Sequence, residues 1–259
     1  MSLIKTPQEI ESLKQGGVIL SRALVNAMLA CKVGATTTDI ERAARDFLKQ
    51  NGAKPSFLGY QTDSSDPPSP SALCISFNDE VVHGPATPER TVREGDLVSL
   101  DIGAWYKGLA TDMATTVLVG KVSPKVRALV EATRQALKLA LGTVRAGAWI
   151  SDIGASIEDY LKPRGYGIVK DLVGHGVGHA VHEDPQIPNY REPRTPKVRM
   201  QSGMILAIEP MVSLGDWRVD QKDDGWTIVT RDHSPAAHFE VTVAVTDKGH
   251  ELITPWPEI

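Results

Sequence analysis

Residues 32–52 read KVGATTTDIERAARDFLKQNG, and residues 145–165 read RAGAWISDIGASIEDYLKPRG. Aligned, Gly34, Ala35, Asp39, Ile40, Asp46, Leu48, Lys49 and Gly52 recur as Gly147, Ala148, Asp152, Ile153, Asp159, Leu161, Lys162 and Gly165. Two unrelated amphipathic helices share an apolar phase, but not the Gly-Ala turn ahead of it or the acid in its first turn. The likeness extends outward into strand-like segments. GDLVSLD (95–101) parallels GMILAIE (203–209): a glycine, five mostly apolar residues, then an acid. ATDMATTVLV (110–119) parallels HFEVTVAV (238–245), an acid leading into a β-rich run. The fold class is therefore read as α+β within a single domain, 1–259. Its two similar halves, roughly 1–120 and 121–259, are expected to pack about a pseudo-two-fold axis, with an antiparallel sheet inside and helices outside.

Thr6-Pro7-Gln8-Glu9 has the form of a capping box and opens a first helix whose apolar positions are Ile10, Leu13, Val18, Leu20, Leu24, Ala27 and Met28. Thr38-Asp39 is expected to cap a second helix. Ser123-Pro124 is expected to cap a third, with Val126, Leu129, Val130, Ala136 and Leu139 on its buried face. QTDSSDPPSPS (61–71) is polar, Pro-rich and aperiodic, the composition of a mobile loop.

Composition excludes several function classes. The 28 Lys+Arg against 32 Asp+Glu leave a net charge of −4 with no basic block, so nucleic acid is not the expected partner. Apolar runs such as residues 205–208 fall far short of the ~20 residues that span a bilayer. The opening MSLIKTPQEIESLKQGG lacks the basic, apolar and small-residue order of a secretory leader, so a cytoplasmic setting is expected. Cys31 and Cys74 are too few for a disulfide framework and read as reduced thiols.

An acid inside LVSLDIGAWY or ILAIEPM is costly to bury unless paired or bound to a cation. Asp101, Asp112, Glu209 and Glu240 together carry −4, and these strands offer no matching Arg or Lys. Two divalent cations would offset that charge, with carboxylates bridging ions roughly 3.5 to 4 Å apart. A histidine should complete the set, and GHGVGHAVHEDP (174–185) offers His175, His179 and His182. His175 comes first, because flanking glycines let its backbone approach a neighbour closely. One imidazole among carboxylates suits Mn, Fe, Co or Zn in a hydrolase. His179 reads as a rim residue. His233, His238 and His250 read as surface or ordinary hydrogen-bonding residues, although His238 stands two positions before Glu240.

VGHGVGHAVHEDP (173–185), the pair Asp101 and Asp112, GMILAIEPM (203–211) and HFEVTVAVTDKGHELIT (238–254) resemble the type I methionine aminopeptidases, of pita-bread fold. The likeness runs in order along essentially the whole chain. It implies a dinuclear site whose five ligands are Asp101, Asp112, His175, Glu209 and Glu240, with Asp112 and Glu240 bridging. It implies Glu209 as proton shuttle, and His83, in NDEVVHGPA (78–86), and His182 as the histidines that contact substrate. Tyr60 would line the methionine pocket or merely anchor a loop. Cys74 matches a pocket-lining cysteine, and Trp226 either walls the entrance or covers the core edge. The implied activity is removal of the initiator methionine from nascent proteins when the second residue is small, by a metal-activated hydroxide. The implied setting is a monomer acting on nascent chains, with the ribosome as a further partner, and the 61–71 loop would flank the substrate entrance. Two other readings stay open: a proline-directed aminopeptidase or dipeptidase of the same fold, and a metal-free module that only binds peptides.

Overall fold

The computed structural model describes residues 2–61, 67–194 and 197–257. Helix α1 (Pro7–Ala30) begins with a reciprocal cap: Thr6 Oγ1 accepts from the Glu9 amide, and the Glu9 carboxylate accepts from the Thr6 amide. Its buried face is Leu13, Gly16, Gly17, Leu20, Ser21, Ala23, Leu24 and Ala27. Val18 lies off that face and is 39% exposed, because the small Gly16 and Gly17 make the close contacts with Tyr106 and Ile253. Helix α2 (Thr37–Gln50) is capped by Thr36 rather than by Thr38-Asp39. With three threonines in a row, the cap is the one whose hydroxyl reaches the amide three residues on, and that amide belongs to Asp39.

Helix α3 (Pro124–Leu141) starts at Ser123 as expected, but Leu139 is 39% exposed while Leu137, Ala140 and Leu141 turn inward. In α4 (Ile150–Leu161) the Asp152 carboxylate accepts from the Trp149 amide at 2.9 Å. Asp39 and Asp152 both bond back to the cap three residues before them, Asp39 accepting from the Thr36 hydroxyl at 2.9 Å and Asp152 from the Trp149 amide, which explains why this acid recurs between the halves.

Among the described residues the central sheet has nine strands and only antiparallel pairings. Leu97–Tyr106 and Leu109–Leu118 form a hairpin registered over ten pairs, from Leu97↔Leu118 to Tyr106↔Leu109. Lys107 and Gly108 between them have φ of +50° and +80°, the type I′ turn that matches strand twist. In the second half, Glu240–Val245 pairs with Ile205–Ile208, which pairs with Gly174–Gly176, followed by Glu183–Ile187.

The halves meet where Glu240 faces Ala114 and Val241 faces Met113. Side chains lengthen this short seam. Thr242 Oγ1 donates to the Asp112 carbonyl at 2.7 Å and accepts from the Asp112 amide at 3.1 Å, and Thr116 makes the same two-way bond with the His238 backbone. One apolar core gathers under α3 and α4 and another under α1 and α2, and a third, with Leu13, Leu109 and Ala110 from the first half and Ile205, Ala207, Ala244 and Ile253 from the second, spans the seam beside the polar residues.

Of the expected 61–71 loop, residues 62–66 lie outside the described residues. Its neck is closed by the Gly59 amide donating to Ser69 and the Ser69 amide donating to Tyr60, at 2.9 and 2.8 Å. Among the described residues no helix is long and apolar enough to cross a membrane.

Candidate metal centre

Register alone aligns the acids. Cys74 faces Asp101, Asp101 faces Ala114, and Ala114 faces Glu240, so these four residues form one row across three strand boundaries. Asp112 stands two residues from Ala114 and therefore on the same face. Glu209 follows Ile208, which faces Val241, and so falls beside Glu240. His175 enters from the next strand, opposite Ala207. That strand fits only because it begins and ends in glycine: a Cβ on Gly174 would lie 2.5 Å from the Ala207 carbonyl oxygen, and one on Gly176 would collide with the Asp184 carbonyl.

His175 Nδ1 donates to the Gly176 carbonyl at 2.9 Å, which leaves the Nε2 lone pair directed at the acids, 3.4 Å from Glu209 Oε1. Asp112, His175 and Glu240 each offer a ligand atom, and these atoms all lie within 4.8 Å of one another.

Burial raises every one of the four acids. Asp101 is pushed up to about 7 and Glu209 to about 8, and Asp112 and Glu240 well above the usual carboxylate range, with the neighbouring acids adding to it. Burial also drives the histidines down, His175 to about 3 and His83 to about 4, with His182 and His238 below their ordinary value. The close approach of His175 to Glu209 is thus a contact of neutral groups, not an ion pair. Asp101 Oδ1, Asp112 Oδ1 and Glu240 Oε1 are buried without a hydrogen-bond partner. Orphaned carboxylate oxygens beside one lone-pair nitrogen are the donor set of a divalent cation.

His83 and His182 stand on the walls. His83 adopts φ +61°, a left-handed backbone that costs a non-glycine residue energy and gathers at functional sites. The His182 ring meets His175 edge to face at 4.5 Å, and its Nδ1 is 2.6 Å from the Tyr60 hydroxyl. Asp101, Asp112, His175, Glu209, Glu240, His83, His182, Tyr60, Cys74 and Trp226 all line one cleft of about 650 Å³, counting its mouth.

One residue stands elsewhere than its sequence reading implied. His238 is not a surface residue: it is 1% exposed, and Nε2 lies 3.5 Å from Glu209 Oε2. The signal was its spacing of two from Glu240, although His238 ends one strand, Ala236–His238, and Glu240 begins the next, Glu240–Val245. His179 reaches away from the acids, with Nε2 2.7 Å from Glu9 Oε1 at the start of α1. Beside it, Lys5 Nζ lies 2.5 Å from Glu183 Oε2 in a buried pair that straps the chain's first residues to the loop bearing His182. No local pattern marks that pair.

The model for "Metallopeptidase family M24" matches residues 11–247. A methionine aminopeptidase of Clostridium acetobutylicum is 42% identical over 255 residues, 98% of this chain and 99% of its own length. The crystal structure of a methionine aminopeptidase from Thermotoga maritima superposes with a TM-score of 0.91 at 43% identity, covering 97% of this chain and 98% of that one. A prolidase from Pyrococcus furiosus shares the fold at a TM-score of 0.77 and 25% identity, but 98% of this chain covers only 65% of it.

Proposed function

The chain belongs to metallopeptidase family M24, and on that premise we propose how its cleft releases the N-terminal methionine of nascent proteins. It is a metal-dependent methionyl aminopeptidase of pita-bread fold. The observation that carries the reading is the buried row of acids with orphaned oxygens, closed by His175. The end-to-end match to methionine aminopeptidases, against partial coverage of the prolidase, favours it over the proline-directed alternative.

Asp101, Asp112, His175, Glu209 and Glu240 would hold two divalent ions, Mn, Fe, Co or Zn, with Asp112 and Glu240 shared between them. When bound, such ions offset the buried negative charge, acidify water and polarise a carbonyl. Glu209, flanked by His175 and His238, takes the proton of the attacking water and passes it to the leaving amine. We assign the Tyr60 hydroxyl, kept protonated by burial and 2.6 Å from His182 Nδ1, as the donor of that bond, which places the His182 proton on Nε2. That N–H and the neutral His83 donate to the scissile carbonyl and steady the negative charge that develops on it.

Tyr60, Cys74 and Trp226 wall the methionine side chain. The matching cellular setting is the cytoplasm, where a monomer meets nascent chains at the ribosome, and a single catalytic domain of repeat-related halves, 1–120 and 121–259, accords with it.

The test is kcat/KM for Met-Ala-Ser, Met-Lys-Ser and Ala-Pro-Ser with each metal added in turn. Met-Ala-Ser should be cleaved and Met-Lys-Ser neglected. Preference for Ala-Pro-Ser would overturn the reading in favour of a proline-directed enzyme.

A further inference from the structure

Glu80 is 6% exposed and lies outside the row of acids, yet its carboxylate receives four hydrogen bonds. Oε1 accepts from Arg90 at 2.9 Å and from Lys222 Nζ at 2.7 Å, while Oε2 accepts from Arg90 at 2.7 Å and from the Phe77 amide at 2.8 Å. The two oxygens of a carboxylate are then fully used.

Three segments that reach the cleft converge on this carboxylate. The first is the strand Cys74–Phe77, whose Ile75 carbonyl accepts from Arg90 at 2.6 Å. The second is the turn after His83. Arg90 also donates to the Pro85 carbonyl at 2.9 Å, and a Cβ on Gly84 would sit 3.0 Å from Glu80 Oε2, so the carboxylate lies directly beneath the left-handed His83-Gly84 step. The third is the turn 222–227 that presents Trp226. Lys222 opens it, its amide donating to the Thr227 carbonyl at 2.8 Å, while Asp224 accepts from the Trp226 and Thr227 amides.

Backbone pairing alone does not hold the third segment to the second. Strand Ile228–Thr230 pairs with Glu80–Val82, but the register slips between Ile228 and Val229, at the end nearest Trp226. At this irregularity Lys222 crosses to Glu80.

Resting on the function proposed above, we infer that Glu80 is a positioning residue. It ties the His83 wall to the Trp226 wall through Arg90 and Lys222, and so sets the gap that receives the substrate's first side chain. Lys222 governs the Trp226 side, and Arg90 governs the His83 side. Charge on Glu80 serves both.

The test compares Lys222→Met, Lys222→Arg, Glu80→Gln and the double variant Glu80→Gln/Lys222→Met with wild type, all metal-loaded, on Met-Ala-Ser. Lys222→Met should raise KM about fivefold, the size a half-exposed charged hydrogen bond supports, with kcat within about twofold. Lys222→Arg should restore KM. In the double variant KM should rise no further than in Glu80→Gln alone, since both substitutions remove one tie.

A second readout does not depend on activity. The acrylamide quenching of Trp226, taken as the difference on adding Trp226→Phe, should increase in Lys222→Met and return in Lys222→Arg. Unchanged quenching in Lys222→Met, or fully additive effects on KM, would overturn the tie. Failure of the wild type to cleave Met-Ala-Ser while quenching responds as expected would overturn the proposed function and leave the tie standing.

Discussion

Replacing Lys5 by methionine keeps most of the side chain's bulk and removes only its charge. The Lys5 and Glu183 side chains are 1% and 8% exposed, with Nζ 2.5 Å from Oε2, and Glu183 Oε1 accepts from the Ala180 amide at 2.8 Å. In Lys5→Met the Glu183 carboxylate stays buried with one oxygen uncompensated. Breaking a buried pair from one side costs about 3–5 kcal/mol, because the remaining charge has lost its partner but not its desolvation. For a domain of this size each kcal/mol moves the melting temperature by about 2–4 °C, so a fall of about 6–20 °C is expected. The assay is a melt in saturating metal, which holds the contribution of the acid row constant. Lys5→Met/Glu183→Met removes both charges and should recover most of the loss. Because Glu183 follows His182 directly, kcat of the single variant should fall more than KM changes. A loss below about 1 kcal/mol, as an exposed pair would show, or a double variant no more stable than Lys5→Met, would refute the reasoning.

Asp112→Asn and Glu240→Gln preserve shape but withdraw charge from the proposed bridging positions. Each should abolish turnover and shrink the difference between melts with and without chelator, and wild-type turnover in either would contradict the ligand assignment. Chelated protein should lose stability as pH rises from about 6.5 to 8. In that window the unfolded acids are ionised, while folded Asp101 and Glu209, raised to about 7 and about 8, and Asp112 and Glu240, raised well above the usual carboxylate range, give up protons only at a cost that outweighs the protons the unfolded histidines still shed near pH ~6.5. The urea midpoint should therefore fall with pH without metal, and a rising midpoint would show that the acids are not strained by burial. Tyr60→Phe removes the hydroxyl 2.6 Å from His182 Nδ1 and frees the ring to change tautomer. kcat for Met-Ala-Ser should drop about tenfold or more, within the range for loss of a positioned proton donor, and an unchanged kcat would deny His182 that role.

The placement of the acids was legible because buried strands tolerate carboxylates poorly, so Asp101 in LVSLDIG and Glu209 in ILAIEP stood out against their neighbours. The helix starts were legible to within a residue or two, and the Thr36 cap escaped only because any of three threonines satisfied the pattern. What stayed hidden is pairing across long separations. Lys5 meets Glu183, and Lys222 meets Glu80, through tertiary geometry that no local periodicity encodes. His238 fell between the two cases. Its spacing from Glu240 was visible, but a histidine two residues before an acid is an ordinary surface pattern until burial is known.

The short seam between the halves also orders events in time. The hairpin Leu97–Tyr106 with Leu109–Leu118 closes over a two-residue turn and brings Asp101 and Asp112 onto adjacent strands early, as local contacts do. Glu240 joins them only through pairs such as Asp112 with Thr242, 130 positions apart. All four acids therefore confront one another only when the halves dock, and most of their mutual repulsion falls on that last step. A refolding chain should show a fast phase indifferent to divalent cations and a slow one that they accelerate.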